Sequence, residues 1–389
     1  MRLPYKILVF SIVFIYMSNM PLFIFAMGAT AFKPLYWYFV VIMLAILVVV
    51  LNPSILAGKK SKSSIIFFGL LLFSFHTFLG FLYSSHSQIA EQVLITRLEV
   101  IILFFSFIII LLHLKGAFRC VQLAILVTAI LAIIMNLVDF FDPIWSTVSG
   151  RAAGLYLNPN LSGKALVFLM VAGIPLVPAR FRILFCAIVG VGVLVTFSRS
   201  SWMLWGVAIL GLIIAGYLAS GSKKLLFLFG FLAIILIVYN MGVFASLFIQ
   251  NSWLLDYLTP NTQARLGLLQ EAFTDNSAQI RFYLAKEAWN MFQERPLLGF
   301  GLGFTHEWGY SLSTHNMYLS VLVETGLVGL MVFSGFLAII WHHADHIGKV
   351  ILILFIFSSF STHNNLDQPA MIMMLAFAAV FHTSKEKSS

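Results

Sequence analysis

Stretch after stretch of about twenty residues passes without a charged side chain, from Ile7 to Met27 and again from Leu35 onward. A helix of that length matches the hydrocarbon thickness of a bilayer, whereas a helix in water needs a polar face. A charge near the bilayer centre costs about 2.5–3.5 kcal/mol on insertion scales, so charged residues mark where one span ends and the next begins. Cut in this way the chain contains twelve spans, at about 5–27, 35–52, 63–83, 98–114, 120–140, 163–179, 183–198, 201–220, 225–246, 316–340, 348–362 and 369–383. Ile7–Met27 is too long for a signal segment and is closely followed by another span, so it reads as a retained anchor. With 61% hydrophobic and 10% charged residues, a pair of soluble domains is excluded. The predicted fold class is all-α: a polytopic integral membrane helical bundle of about twelve transmembrane helices with one large helix-containing loop. Residues 1–245 hold the first nine spans, 246–315 the loop and 316–389 the last three spans, in a single membrane domain.

Charge sorts these spans by side. With the N terminus inside, 14 of the 23 Lys and Arg residues fall on the inner face but only two acids do, Asp345 and Glu386. That asymmetry places both termini in the cytoplasm and the large loop outside. It also accounts for the net charge of +9 as a topology signature. The inner basic residues are scattered over short turns, so no nucleic-acid partner is expected. Cys120 and Cys186 are far apart in sequence, which offers neither a disulfide framework nor a cysteine metal site. No repeat of 20–50 residues and no inverted pair of interrupted helices is evident.

The loop sequence SAQIRFYLAKEAWNMFQERP predicts an amphipathic helix lying along the membrane surface. Ser277 would be its N-cap, its stripe would be Ile280, Tyr283 or Leu284, Ala288 and Phe292, and Pro296 would stop it. PLLGFGLGF then spaces Gly299, Gly301 and Gly303 for a tight backbone return. It lacks the Walker pattern, so no nucleotide site is expected.

The polar residues able to do chemistry fall on the outer side. Arg199, between Ser198 and Ser200, reads either as a snorkelling interfacial anchor or as part of an anion pocket. Arg281 reads either as a solvated helix residue or as a second guanidinium for a pyrophosphate, whose oxygens suit the planar fork. His315 is the best general-base candidate, because imidazole is near neutral at physiological pH and neighbouring arginines push its pKa down. Arg151, Asn158, Asn160, Asn316 and His363 are candidate substrate contacts, and Glu324 reads equally as bundle glue or substrate contact. His306, His342, His343 and His346 suggest a metal site, but His342, His343 and His346 sit on the opposite side, with only Asp345 nearby. No metal, and no other cofactor, is expected.

Arg281, RPLLGFGLGF and His315-Asn316-x9-Gly326-x-x-Gly329, together with the upstream FSRSSW and GLYLNPN, resemble the O-antigen ligase family and its wider superfamily of bacterial lipid-linked glycan ligases and polymerases. The likeness runs over roughly residues 150–330. It implies a metal-independent, inverting glycosyl transfer at the periplasmic face of the inner membrane. The donor would be an undecaprenyl-pyrophosphate-linked polysaccharide and the acceptor the lipid A core oligosaccharide. Arg199 and Arg281 would hold the pyrophosphate, and His315 would position or deprotonate the acceptor hydroxyl. The same skeleton also serves repeat-unit polymerases and protein O-oligosaccharyltransferases. A lipid-linked glycan flippase is the reading from another class, but such a path needs charges deep in many spans and here nearly all of them sit at span ends.

Overall fold

A computed structural model describes residues 3–29, 34–51, 62–114, 116–219, 276–309 and 313–380. Among them are fourteen α-helices and no β-strand. The first six are α1 (Leu3–Met17), α2 (Met20–Ala26), α3 (Pro34–Leu51), α4 (Lys62–Leu82), α5 (Gln88–His113) and α6 (Ala117–Phe141). Then come α7 (Pro159–Gly173), α8 (Arg182–Leu194), α9 (Arg199–Ile214), α10 (Asn276–Glu294) and α11 (Phe304–Glu307). The last three are α12 (Met317–His343), α13 (His346–Ser358) and α14 (Pro369–Val380). Four stretches, Gln88–His113, Ala117–Phe141, Pro159–Leu176 and Met317–His343, are helical, long and apolar enough to cross a bilayer alone, five if α1 and α2 count as one bent span. Five further apolar helices are 10–17 residues long. The molecule is therefore a polytopic helical membrane protein. Among the described residues twelve full-length crossings are not seen, and the expected span 225–246 lies outside them.

The chain divides into two compact units that interleave in sequence. The first gathers Leu35–Phe118 and Ile280–Ser389, with Met1–Leu3; the second gathers Pro4–Pro34 and Arg119–Gln279. In the first, α14 packs on α5 and α13, and α12 packs on α4. In the second, α7 packs on α8 and α9.

Charges proved to be poor span boundaries where they are paired inside. Helix α5 begins at Gln88, ten residues before the expected 98, capped by Ser87, whose hydroxyl accepts from Ala90 N. It carries Arg97 into the packed interior, where that side chain pairs with Asp367. Helix α7 starts at Pro159, four residues before the expected 163, and encloses the buried Lys164 that the expected span also contains. The first expected span is bent by 58° between α1 and α2. Asn19 takes a left-handed conformation there (φ 59°) with a proline in the next turn, and the hydroxyl of Tyr156 donates to the carbonyl of Met17 that the bend frees.

A second break lies inside α12, where Gly326 takes φ 64°, ψ −162°. Backbone groups released by a broken helix cannot be left facing lipid. The glycine-rich segment after α10 supplies their partners: Phe300 N and Gly301 N donate to Val323 O and Glu324 O, both at 2.9 Å. In return Leu327 N and Val328 N donate to Pro296 O and Leu297 O at 2.9 and 3.2 Å. Leu302 N donates to Gly80 O of α4 at 2.9 Å. The two glycine motifs of the sequence are thus halves of one joint. A Cβ on Gly299 would stand 2.5 Å from the Glu324 carbonyl carbon, and one on Gly301 2.5 Å from the Ser84 Cα. Gly301 also has φ 103°, so Gly301→Ala combines a backbone clash with a strained conformation. It should cost about 2–4 kcal/mol, read as a lowered unfolding temperature of the detergent-purified protein. An unchanged transition would show that the segment does not dock as described.

The amphipathic helix predicted within the loop sequence is α10. Leu284, Ala288 and Phe292 are buried and pack with Trp308 and with Leu322 and Val323 of α12. Of the alternatives Tyr283 and Leu284, Leu284 faces inward and Tyr283 is exposed; Ile280, expected on the stripe, is also exposed, because the packed stripe begins one turn later at Leu284. The helix starts at Asn276, one residue before Ser277, and ends at Glu294, two residues before Pro296.

Candidate active site

The break in α12 places an acid at the base of a polar cluster in the first unit. Glu324, two residues before Gly326, is only 5% exposed. Its carboxylate accepts the Thr305 hydroxyl of α11 at 2.6 Å. Arg97 of α5 and Asp367, in the turn before α14, form an ion pair that acts electrostatically on Glu324, as does His306. One guanidinium therefore serves two carboxylates, an arrangement that stands only because each acid also has a further polar contact or partial exposure.

Three imidazoles lie beyond this acid. The ring of His363 sits edge-to-face with His315 (centroids 5.6 Å, planes 82°) and with His306 (6.1 Å, 66°). Its Nδ1 is 2.8 Å from the Ser313 hydroxyl. His306 is exposed, while His315 and His363 are half-buried. Burial, reinforced by the positive charge of Arg281 on α10, holds the pKa of His315 below the ordinary histidine value. The structure thus brings Arg281, His315, His363 and Glu324 into one unit. Asn316 is the N-cap of α12, its side-chain oxygen accepting from Tyr318 N and Leu319 N at 3.0 and 3.2 Å. Among the described residues no three His, Cys, Asp or Glu side chains converge as metal ligands.

His315 takes φ 51°, unusual for a non-glycine residue. The same device recurs: His86 (52°), Leu157 (63°) and Phe197 (47°) directly precede the N-cap residues Ser87, Asn158 and Ser198 of α5, α7 and α9. A left-handed residue turns the incoming chain sharply into each helix start. The conformation at His315 is thus part of how this fold begins its helices.

The second unit holds the other candidates. Arg151 is buried; its Nε donates to Thr196 O at 2.9 Å and its Nη2 to the Asn160 side-chain oxygen at 2.8 Å. Asn158 caps α7, its side-chain oxygen accepting from Asn160 N at 2.9 Å and Leu161 N at 3.3 Å. Arg199 opens α9 beside a serine cluster in which Ser201 Oγ donates to Ser198 Oγ at 2.9 Å. Gly163 lets α7 approach α9 here, since a Cβ would meet Ser201 Oγ at 2.6 Å. Buried Asp139 anchors the loop carrying Arg151, accepting Ile144 N, Trp145 N, Ala153 N and Gly154 N at 2.7–3.1 Å. Arg151 is therefore a brace joining three segments of that unit.

The expected span 98–114 leaves Arg97 just outside its edge, and from sequence His306 stands out only as a metal-ligand type. The signal for Arg97 was present: a cation inside LITRLEVIILF needs a buried partner. Nothing in the sequence named that partner, which lies 270 residues away.

A helical membrane protein that gathers a low-pKa histidine, an arginine and a buried acid at a broken helix has the groups an anionic leaving group and a proton acceptor require. Residues 184–334 match the profile of a protein family described as O-antigen ligase, so the resemblance carried by the motifs is shown over that stretch. It implies a glycan ligase- or polymerase-type enzyme acting on lipid-linked glycans. No curated protein matches the chain.

Proposed function

We propose that the protein transfers polysaccharide from an undecaprenyl-pyrophosphate carrier to the lipid A core at the periplasmic face of the inner membrane, with both termini cytoplasmic. The observation that carries this reading is His315, depressed in pKa by burial and by Arg281, on the stretch that matches the family. A neutral imidazole takes the acceptor hydroxyl's proton as that oxygen attacks the anomeric carbon. The bond from that carbon to the pyrophosphate breaks, and the pyrophosphate leaves with the electron pair, its charge met by guanidinium. One displacement inverts the anomeric centre. No ATP and no metal is required by this scheme. The resemblance gives Arg199 the same pyrophosphate-holding role as Arg281.

Deleting the gene tests the acceptor. Long lipid-linked chains accompanied by a bare core are expected; single unpolymerised repeats would instead mark a polymerase. In purified form, transfer should proceed in excess EDTA. A loss of transfer restored by Mg²⁺ would turn attention to Asp256, Asp275 and Asp367. Arg281→Lys keeps the charge but loses the bidentate fork, and transfer should fall about tenfold or more. Wild-type transfer by that variant would remove Arg281 from pyrophosphate binding.

A further inference from the structure

We infer that His363 is a positioning residue for His315, acting through its ring and not by touching the glycan. The inference rests on the base role proposed for His315 and deepens it. A general base works only if its acceptor nitrogen is aimed, and a misplacement of about 1 Å can cost on the order of 10²-fold in rate. Among the described neighbours in its own segment, the side chains of Thr314 and Asn316 are engaged elsewhere, with Asn316 O, Ser320 Oγ and the α12 N-terminus. What meets its ring is His363, edge-to-face at 5.6 Å.

His363 is itself fixed on several sides. Ser313 Oγ lies 2.8 Å from its Nδ1, and His306 closes its other side at 6.1 Å. The turn that carries it is tied down by Asn365, whose Nδ2 donates to Ser358 Oγ and Ser359 Oγ at 2.9 and 3.0 Å, and by Asp367, which pairs with Arg97. Ser359 O in turn accepts from Met317 N at 2.9 Å, two residues after His315. Both histidines are therefore mounted on the same braced contact between the start of α12 and the end of α13. That contact converts the fixed plane of one ring into the fixed plane of the other.

The test is transfer kinetics of purified His363→Ala, His363→Phe and Ser313→Ala, with His315→Ala alongside. His363→Ala should lower kcat about 10- to 100-fold with KM for both glycan substrates unchanged. His363→Phe keeps the edge-to-face ring and should recover most of that loss. Ser313→Ala should lower kcat severalfold alone and add nothing to His363→Ala, because it acts only through His363. A Phe variant as impaired as the Ala variant, or a raised KM with kcat intact, would overturn the inference in favour of a direct glycan contact. If His315→Ala is inactive while His363→Ala is fully active, positioning fails and the base reading stands. A fully active His315→Ala would instead sink the base reading.

Discussion

His315→Ala should lower transfer by about 10²-fold or more, the usual size of a general-base contribution, while donor binding stays near that of the wild type. The variant should insert and fold normally. The ring is half-buried and lies outside the α12 helix it precedes, so truncation leaves no packed void. The backbone at this position is left-handed, which alanine tolerates no better than histidine. His315→Asn controls for that, since asparagine accepts φ > 0 and lacks a usable base. The pH dependence adds a second readout. Burial and then Arg281 depress the pKa of His315, so the neutral, proton-accepting form persists below the ordinary value of about 6.5. The rate should fall only as pH drops through that lowered value. Arg281→Gln removes one of the two causes, so the acid limb should move up toward 6.5. A His315→Ala protein that decorates the acceptor at the wild-type rate would refute the assignment, and an acid limb unmoved by Arg281→Gln would leave burial as the sole cause of the lowered pKa.

The second large effect concerns stability. Arg97 is 9% exposed and answers to Asp367 directly and to Glu324 electrostatically. Stranding a buried charge by deleting its partner costs about 3–5 kcal/mol. Arg97→Met leaves two carboxylates without their shared cation and should reach that range. Asp367→Asn should cost less, because Glu324 remains to face the guanidinium. Thermal unfolding of the three proteins in one detergent measures the order. Equal losses would mean that Glu324 draws nothing from Arg97.

Much of the helical plan could be read from the sequence, because lipid-facing helices leave a long apolar signature that needs no knowledge of tertiary contacts. The stripe of α10 was legible for the same reason, and its one ambiguity was settled by which side chain reaches Trp308 and α12. Reading a charge as a boundary failed at α5, since a buried charge reports its partner and not its depth. His315, Asn316, Gly326 and Gly329 stand out as a motif, but their spacing does not show that Gly326 opens the helix for Pro296–Leu302. The polar cluster drew on Arg97, His306 and Asp367 from three separate segments, and no local pattern links them.

The break in α12 also bears on how the chain is made. Gly326 lies nine residues into the helix, about 14 Å from its start at 1.5 Å per residue. A nascent helix entering the bilayer alone would carry open carbonyls at Val323 and Glu324 and open amides at Leu327 and Val328, each costing several kcal/mol in hydrocarbon. The ribosome releases residues 296–302 before it releases α12. The missing partners are therefore already outside the exit tunnel when the defective segment arrives, and insertion of α12 becomes a docking step that waits on a strap synthesised about twenty-five residues earlier.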